Sequence, residues 1–141
     1  MLSLRYAGRW RAAGLMLLIM VLAATLMPAV WFLSDRQDFI NWFTNIDKWL
    51  HGVTFVFLAL WFSGQYERRA YWRIAFGLFL FGVLIELCQR MVAYRSAEWY
   101  DLTADVGGII IGLAIAAAGV GGWSVRAEHW LARRNAGSNI D

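Results

Sequence analysis

The sequence predicts an all-α, polytopic membrane protein: a four-transmembrane-helix bundle with both termini in the cytoplasm. Three observations predict it. Of 141 residues, 60% are apolar and only 16% charged, where a soluble domain carries about 25% charge. A domain of this length could not hide so much apolar surface from water. The apolar residues also gather in long uncharged runs, and the basic residues fall between those runs in an alternating count.

The first span is expected over 12–33, which holds 22 residues without a charge. As a helix rising 1.5 Å per residue, it covers a hydrocarbon core of about 30 Å. Pro28 is expected to kink it near its outer end. Basic residues precede the run, as in a secretory signal, but it outruns the roughly 7–15 apolar residues of a signal core. The second span is expected over 49–66, interrupted only by His51 and Gln65, and the fourth over 106–123. The third run, 74–85, gives a helix of only about 18 Å. It becomes a span, 74–94, if Glu86, Gln89 and Arg90 lie within or at the edge of the membrane.

The flanking charges support that third crossing. Arg5, Arg9 and Arg11 precede the first span, Arg36 and Lys48 follow it, and Arg68, Arg69 and Arg73 form the middle loop. Arg90 and Arg95 come next, then Arg126, Arg133 and Arg134. Acids run the other way, with Asp35, Asp38 and Asp47 in the first loop and Glu98, Asp101 and Asp105 in the third. By the positive-inside rule four spans place both termini and the middle loop in the cytoplasm. The whole chain, 1–141, then reads as one membrane domain with a basic cytoplasmic tail, 124–141. In that tail Val125, Trp130 and Leu131 oppose Arg126, Arg133 and Arg134, the pattern of a short interfacial helix. Trp10, Trp31, Trp42, Trp49, Trp72, Trp99 and Trp123 fall where an aromatic belt would put them.

Composition also excludes functions. Cys88 is the only cysteine, so neither a disulfide framework nor a cysteine metal cluster is available. The net charge of +3 is dispersed as membrane-flanking arginines, which disfavours nucleic-acid binding. No HExxH, phosphate loop or nucleophile with an obvious base is present.

The remaining polar residues converge on one layer, at the outer third of the membrane. Asp47, Lys48 and His51 open the second span; Glu86, Gln89 and Arg90 lie late in the third; Asp101 and Asp105 open the fourth, with Arg95 in the loop before it. Asp47 and His51 are four apart, as are Glu86 and Arg90, and Asp101 and Asp105, so each pair shares a helix face. The Asp101/Asp105 stripe is expected to continue through Gly108, Gly112 and Gly119. Gly108 and Gly112 form the small-xxx-small pattern of close helix packing, within the bundle rather than against another copy. The inner face is expected to hold only flanking arginines. Ionisable groups inside a span are costly and face a cavity or a partner. Plainer roles compete: Asp47, Asp101 and Asp105 can cap helix N-termini, Lys48 and Arg90 can snorkel, His51 can be a satisfied interior residue, and Glu86 can form an ion pair with Arg90, Arg95 or Lys48.

Asp47-Lys48-x2-His51-x3-Phe55, then Glu86-x2-Gln89, then Arg95-x5-Asp101-x3-Asp105-x2-Gly108-x3-Gly112 resembles the VanZ-like family of small bacterial membrane proteins, over about residues 46–116. That family commonly has Asn at position 105 and often Tyr at position 55. The resemblance implies a four-helix plasma-membrane protein of the cell envelope, linked through the founding member to resistance against the glycopeptide antibiotic teicoplanin.

Three functions fit these residues. In the first, an outward-facing pocket of Asp47, Lys48, His51, Glu86, Gln89, Arg90, Arg95, Asp101 and Asp105 binds an envelope component or another membrane protein. In the second, the protein is an intramembrane enzyme acting on a lipid-linked pyrophosphate precursor. Glu86, His51 and Asp105 would then hold a divalent cation or act as acid and base, and Arg90 or Arg95 would grip phosphate. In the third, the polar layer only ties helices together.

Overall fold

The computed structural model describes residues 2–26, 37–91 and 99–137, with side chains described over 2–26, 48–91 and 99–134. Among the described residues five helices follow in order: α1 (Ala7–Leu26), α2 (Gln37–Ser63), α3 (Tyr71–Arg90), α4 (Trp99–Ile115) and α5 (Trp123–Gly137). A 3-10 turn, Arg68–Ala70, leads into α3, and a π turn, Ala116–Val120, extends α4. No strand occurs among the described residues. Expectations about Pro28, Trp31 and Arg95, and about the side chains of Trp42 and Asp47, fall outside what is described.

Among the described residues, three segments are long and apolar enough to cross a bilayer: Ala7–Leu26, Arg68–Arg90 and Trp99–Val120. In α2 the apolar stretch with described side chains, Lys48–Ser63, is shorter. Helix and apolar run do not coincide. α1 starts at Ala7 rather than residue 12, and α2 starts at Gln37 rather than 49. Helical hydrogen bonding continues past the point where the sequence stops being apolar, because backbone pairing does not require a lipid-compatible side chain.

Packing inverts the pattern of a soluble protein. Leu15, Met16, Ile19, Phe57, Phe76, Leu80, Leu84, Ile110 and Ile111 are exposed on the outside of α1 to α4. Inside lie small and polar residues together with an apolar core of Phe55, Leu58, Ala59, Ile74, Leu78, Ile85 and Ile109. Leu17, Leu18, Val21 and Leu22 of α1 pack against that core. Between helices in lipid the driving force is close van der Waals contact rather than the removal of apolar surface from water. α2 and α4 supply it. A Cβ at Gly108 would collide with the carbonyl oxygen of Gly52, and one at Gly112 would stand 2.7 Å from Ala59 Cβ and from the Val56 carbonyl oxygen. These glycines therefore face α2 within the bundle.

Gly119 does not extend the stripe, contrary to expectation. It is exposed, nothing lies within 4 Å of its Cβ position, and its φ is +133°. That conformation, open to glycine and strained for other residues, breaks the helical register after Ala116. Arg126 then closes the end by donating to the carbonyls of Gly119, Val120 and Gly121.

The opposite end from the His51 layer holds a second polar node where flanking arginines alone were expected. The backbone N–H groups of Arg5 and Tyr6 and the indole N–H of Trp10 donate to the Glu128 carboxylate at 2.8, 3.1 and 2.8 Å. Trp123 donates to the Leu60 carbonyl at 2.9 Å, and the buried Ser124 hydroxyl donates to the Gly64 carbonyl. The Trp10, Trp61 and Trp123 rings lie 5.4–5.7 Å apart by centroid. This node pins α5 beneath the starts of α1 and the end of α2. Trp130 and Leu131 remain exposed on α5, with the Arg134 guanidinium over the Trp130 ring, consistent with an interfacial helix.

Candidate functional site: a buried polar layer

α2, α3 and α4 each turn one stripe inward. On α2 it carries His51, Phe55 and Leu58; on α3, Leu78, Gly82, Glu86 and Gln89; on α4, Asp101, Asp105, Gly108 and Gly112. The i,i+3 and i,i+4 spacing explains why each set shares a face, and the glycines let the helix axes approach closely enough for the side chains to meet. His51, Glu86, Gln89, Asp101 and Asp105 are all buried.

The central contact is His51 Nδ1 to Asp105 Oδ1 at 3.0 Å. With Asp105 ionised, Nδ1–H of His51 is the donor. Asp105 lies in the second turn of α4, so it bridges helices and does not cap one. Its second oxygen, Oδ2, is accommodated by Gly82, where a Cβ would stand 2.8 Å away. Asp101 occupies the first turn, where a carboxylate is favoured by the helix dipole.

Glu86 is the unusual member. It is 6% exposed, yet its Oε1 has no hydrogen-bond partner among the described residues. The expected ion pair with Arg90 is absent: the Arg90 guanidinium lies over the Trp99 ring at 5.6 Å and is exposed. The Lys48 ammonium similarly lies over the Tyr100 ring at 5.2 Å. Both cations therefore sit on the aromatic rim of α4, an arrangement worth about 0.5–2 kcal/mol each. The charges that act on Glu86 are those of Asp101, Arg90, His51 and Asp105.

Gln89 is fully buried and joins α3 to α1. Its amide Nε2 donates to the Thr25 carbonyl at 3.3 Å, while its Oε1 has no partner. Among the described residues, no group of three or more His, Cys, Asp or Glu side chains is arranged to hold a metal ion. The divalent-cation reading of His51, Glu86 and Asp105 therefore draws no support from this geometry. A separate cavity of about 440 Å³ lies between α1, α2 and α3, lined by Leu18, Phe62, Tyr66, Arg73, Leu78 and Phe81 among others; it includes none of the polar-layer residues.

Two participants are not evident from the polar residues alone. Gly82 makes room for Asp105, and its position four residues before Glu86 is the signal that could have found it. Thr25 contributes only a backbone carbonyl, which leaves no trace in side-chain chemistry.

Comparisons with curated proteins and with solved structures gave no match. A family model described as VanZ/LLP1 matches residues 10–120, from the first turn of α1 through the π turn, including every residue of the polar layer. The chain belongs to the VanZ-like family and is a VanZ-like membrane protein.

Proposed function

We propose that this protein is a four-span envelope factor of the bacterial plasma membrane whose polar layer opens outward and binds or modulates an envelope component or partner. One membrane domain spans the chain. Both termini and the Arg68/Arg69/Arg73 loop lie in the cytoplasm, as the distribution of basic residues favours. That orientation puts the Lys48, Arg90, Trp99 and Tyr100 rim on the outer side. The family's link to teicoplanin resistance suggests that the outcome is altered susceptibility to glycopeptides.

The observation that carries this reading is Glu86. A purely structural network satisfies its members, because a buried acceptor without a donor lowers stability by about 1–3 kcal/mol. Glu86 keeps an unpartnered oxygen in a layer that already includes Asp101 and Asp105. Such groups persist where function needs them.

The test is teicoplanin susceptibility of bacteria expressing the wild-type chain or Glu86→Gln, with membrane accumulation measured in parallel. The expected result is normal accumulation and loss of the susceptibility change. A Glu86→Gln chain that accumulates and still shifts susceptibility as the wild type does would refute the proposal.

A further inference from the structure

We propose that the cavity between α1, α2 and α3 seats one acyl chain of a bilayer phospholipid whose anionic headgroup rests on Arg73. The inference rests on the chain spanning a membrane and not on the polar layer, none of whose residues line this cavity. Its volume of about 440 Å³ falls within the roughly 300–1,000 Å³ of small-ligand sites. Leu18 of α1, Phe62 near the end of α2, and Gly77 and Phe81 of α3 form apolar walls, joined by Tyr66 and Arg73. α1 is held at both ends: Trp10 donates to Glu128 at 2.8 Å, and the Thr25 carbonyl accepts from Gln89 at 3.3 Å. Between those ends the Cβ position of Gly14 already stands 3.0 Å from Phe62 Cε1, so α1 cannot move closer to α2 there without displacing that ring. The cavity is thus an opening in a pinned bundle. A Cβ at Gly77 would meet nothing within 4 Å, so the α3 wall at that height is bare backbone.

The lining is graded along α3. Arg73 lies in the first turn beside the exposed Trp72, a residue type that marks the membrane–water interface. Phe81 follows one turn after Gly77, about 12 Å deeper than Arg73 at 1.5 Å per residue. One leaflet is about 15 Å of hydrocarbon, half of a 30 Å core. A chain whose head sits at Arg73 therefore runs along the cavity within its own leaflet. Charge selects the head. Residues 67–73 set Arg68, Arg69 and Arg73 against one acid, Glu67. Glu67 pairs with Arg69 at 2.9 Å, while the Arg73 guanidinium rests over the Trp72 ring at 5.3 Å and pairs with no described carboxylate. A guanidinium takes phosphate oxygens bidentately, and arginines at a bilayer surface attract anionic lipids. A choline headgroup would bring a further cation beside three arginines. Free phosphate would satisfy Arg73 and make no use of the apolar walls.

Native mass spectrometry tests the assignment on the full chain, released from nanodiscs of equal parts phosphatidylglycerol and phosphatidylcholine with identical acyl chains. The wild type should retain one lipid, with phosphatidylglycerol favoured by roughly fivefold or more, the factor one arginine contributes at an anionic surface. Gly77→Phe puts a ring into the cavity and should abolish retention, whereas Gly77→Ala leaves room and should preserve it. Arg73→Gln keeps the cavity and should retain a lipid without headgroup preference. Both positions are exposed on α3, and circular dichroism checks that each variant keeps the wild-type helix content. Equal retention of the two lipids by the wild type, or retention of neither, overturns the proposal. A folded Gly77→Phe chain that keeps the preference overturns it too, since surface charge alone would then explain the selection. So does a wild-type dimer that Gly77→Phe dissociates, because the face would then belong to a second copy.

Discussion

His51 and Asp105 meet at 3.0 Å between α2 and α4, beside the glycines that bring those helices together. The polar contact and the close packing depend on each other, because the bond forms only where the backbones approach.

Asp105 is therefore expected to respond to chemistry rather than size. Asp105→Asn retains a carbonyl oxygen for His51 Nδ1–H and should lower stability by less than about 0.5 kcal/mol. Asp105→Ala removes the acceptor and should lower it by about 1–2 kcal/mol, the upper part of the range for polar contacts between transmembrane helices. Thermal unfolding in nanodiscs measures both. Equal losses for Asn and Ala would show that the hydrogen bond contributes nothing.

Phe55 is buried beside Gly82. Its Cζ is 3.4 Å from the Cβ position of Gly82, and Asp105 Oδ2 is 2.8 Å from the same point. Both atoms border the space that Gly82 leaves open, where a ring hydroxyl could donate to Oδ2. Phe55→Tyr should stabilise the fold by about 0.5–1.5 kcal/mol, the usual net value of a hydrogen bond. Adding Gly82→Ala, which fills the shared space, should abolish the gain. A stabilised double variant would refute this geometry.

Gly107 and Gly108 are neighbours with opposite surroundings. Nothing lies within 4 Å of a Cβ at Gly107, while one at Gly108 collides with the Gly52 carbonyl. Gly107→Ala should raise the unfolding midpoint, since alanine favours helix by about 0.5–1 kcal/mol. Gly108→Ala should lower it, by the roughly 1–3 kcal/mol typical of overpacking. A midpoint ordered the other way would contradict the α2–α4 interface.

Much of this was legible because both signals are local in the chain. Uncharged length marks membrane crossings, and spacing at 3 and 4 places Glu86 with Gln89 and Asp101 with Asp105 on shared faces. Helix ends were less legible: hydropathy reports where lipid would be, and α2 continues as helix up to Gln37. Gly119 misled because spacing assumes one unbroken helix, and its positive φ breaks the register. The Glu128 node was hidden for another reason. Glu128 and Trp10 are 118 residues apart, and no pattern within the sequence joins them.

That node predicts an acid response. Desolvation pushes the Glu128 carboxyl up, but the Trp10 indole, the Arg5 and Tyr6 amides and the charge of His129 outweigh it, leaving the group below its ordinary value of 4.5. A carboxylate whose folded value is depressed adds stability above the unfolded value and loses it as pH falls through the folded one. Protection of the Arg5 and Tyr6 amides from hydrogen exchange, relative to a Glu128→Gln chain at matched pH, should therefore hold at neutral pH and decline below about 4.5. A difference independent of pH would rule out the carboxylate as the anchor.

The central claim is that the polar layer retains an unsatisfied acceptor for function, against its own stability. The thermal midpoint of Glu86→Gln in nanodiscs tests it most directly. Replacing a buried, unpartnered carboxylate with a neutral amide of the same size should leave the midpoint equal to or above that of the wild type, as expected of a functional site that opposes stability. A fall as large as that of Asp105→Ala would contradict the account and make Glu86 a structural member of the bundle.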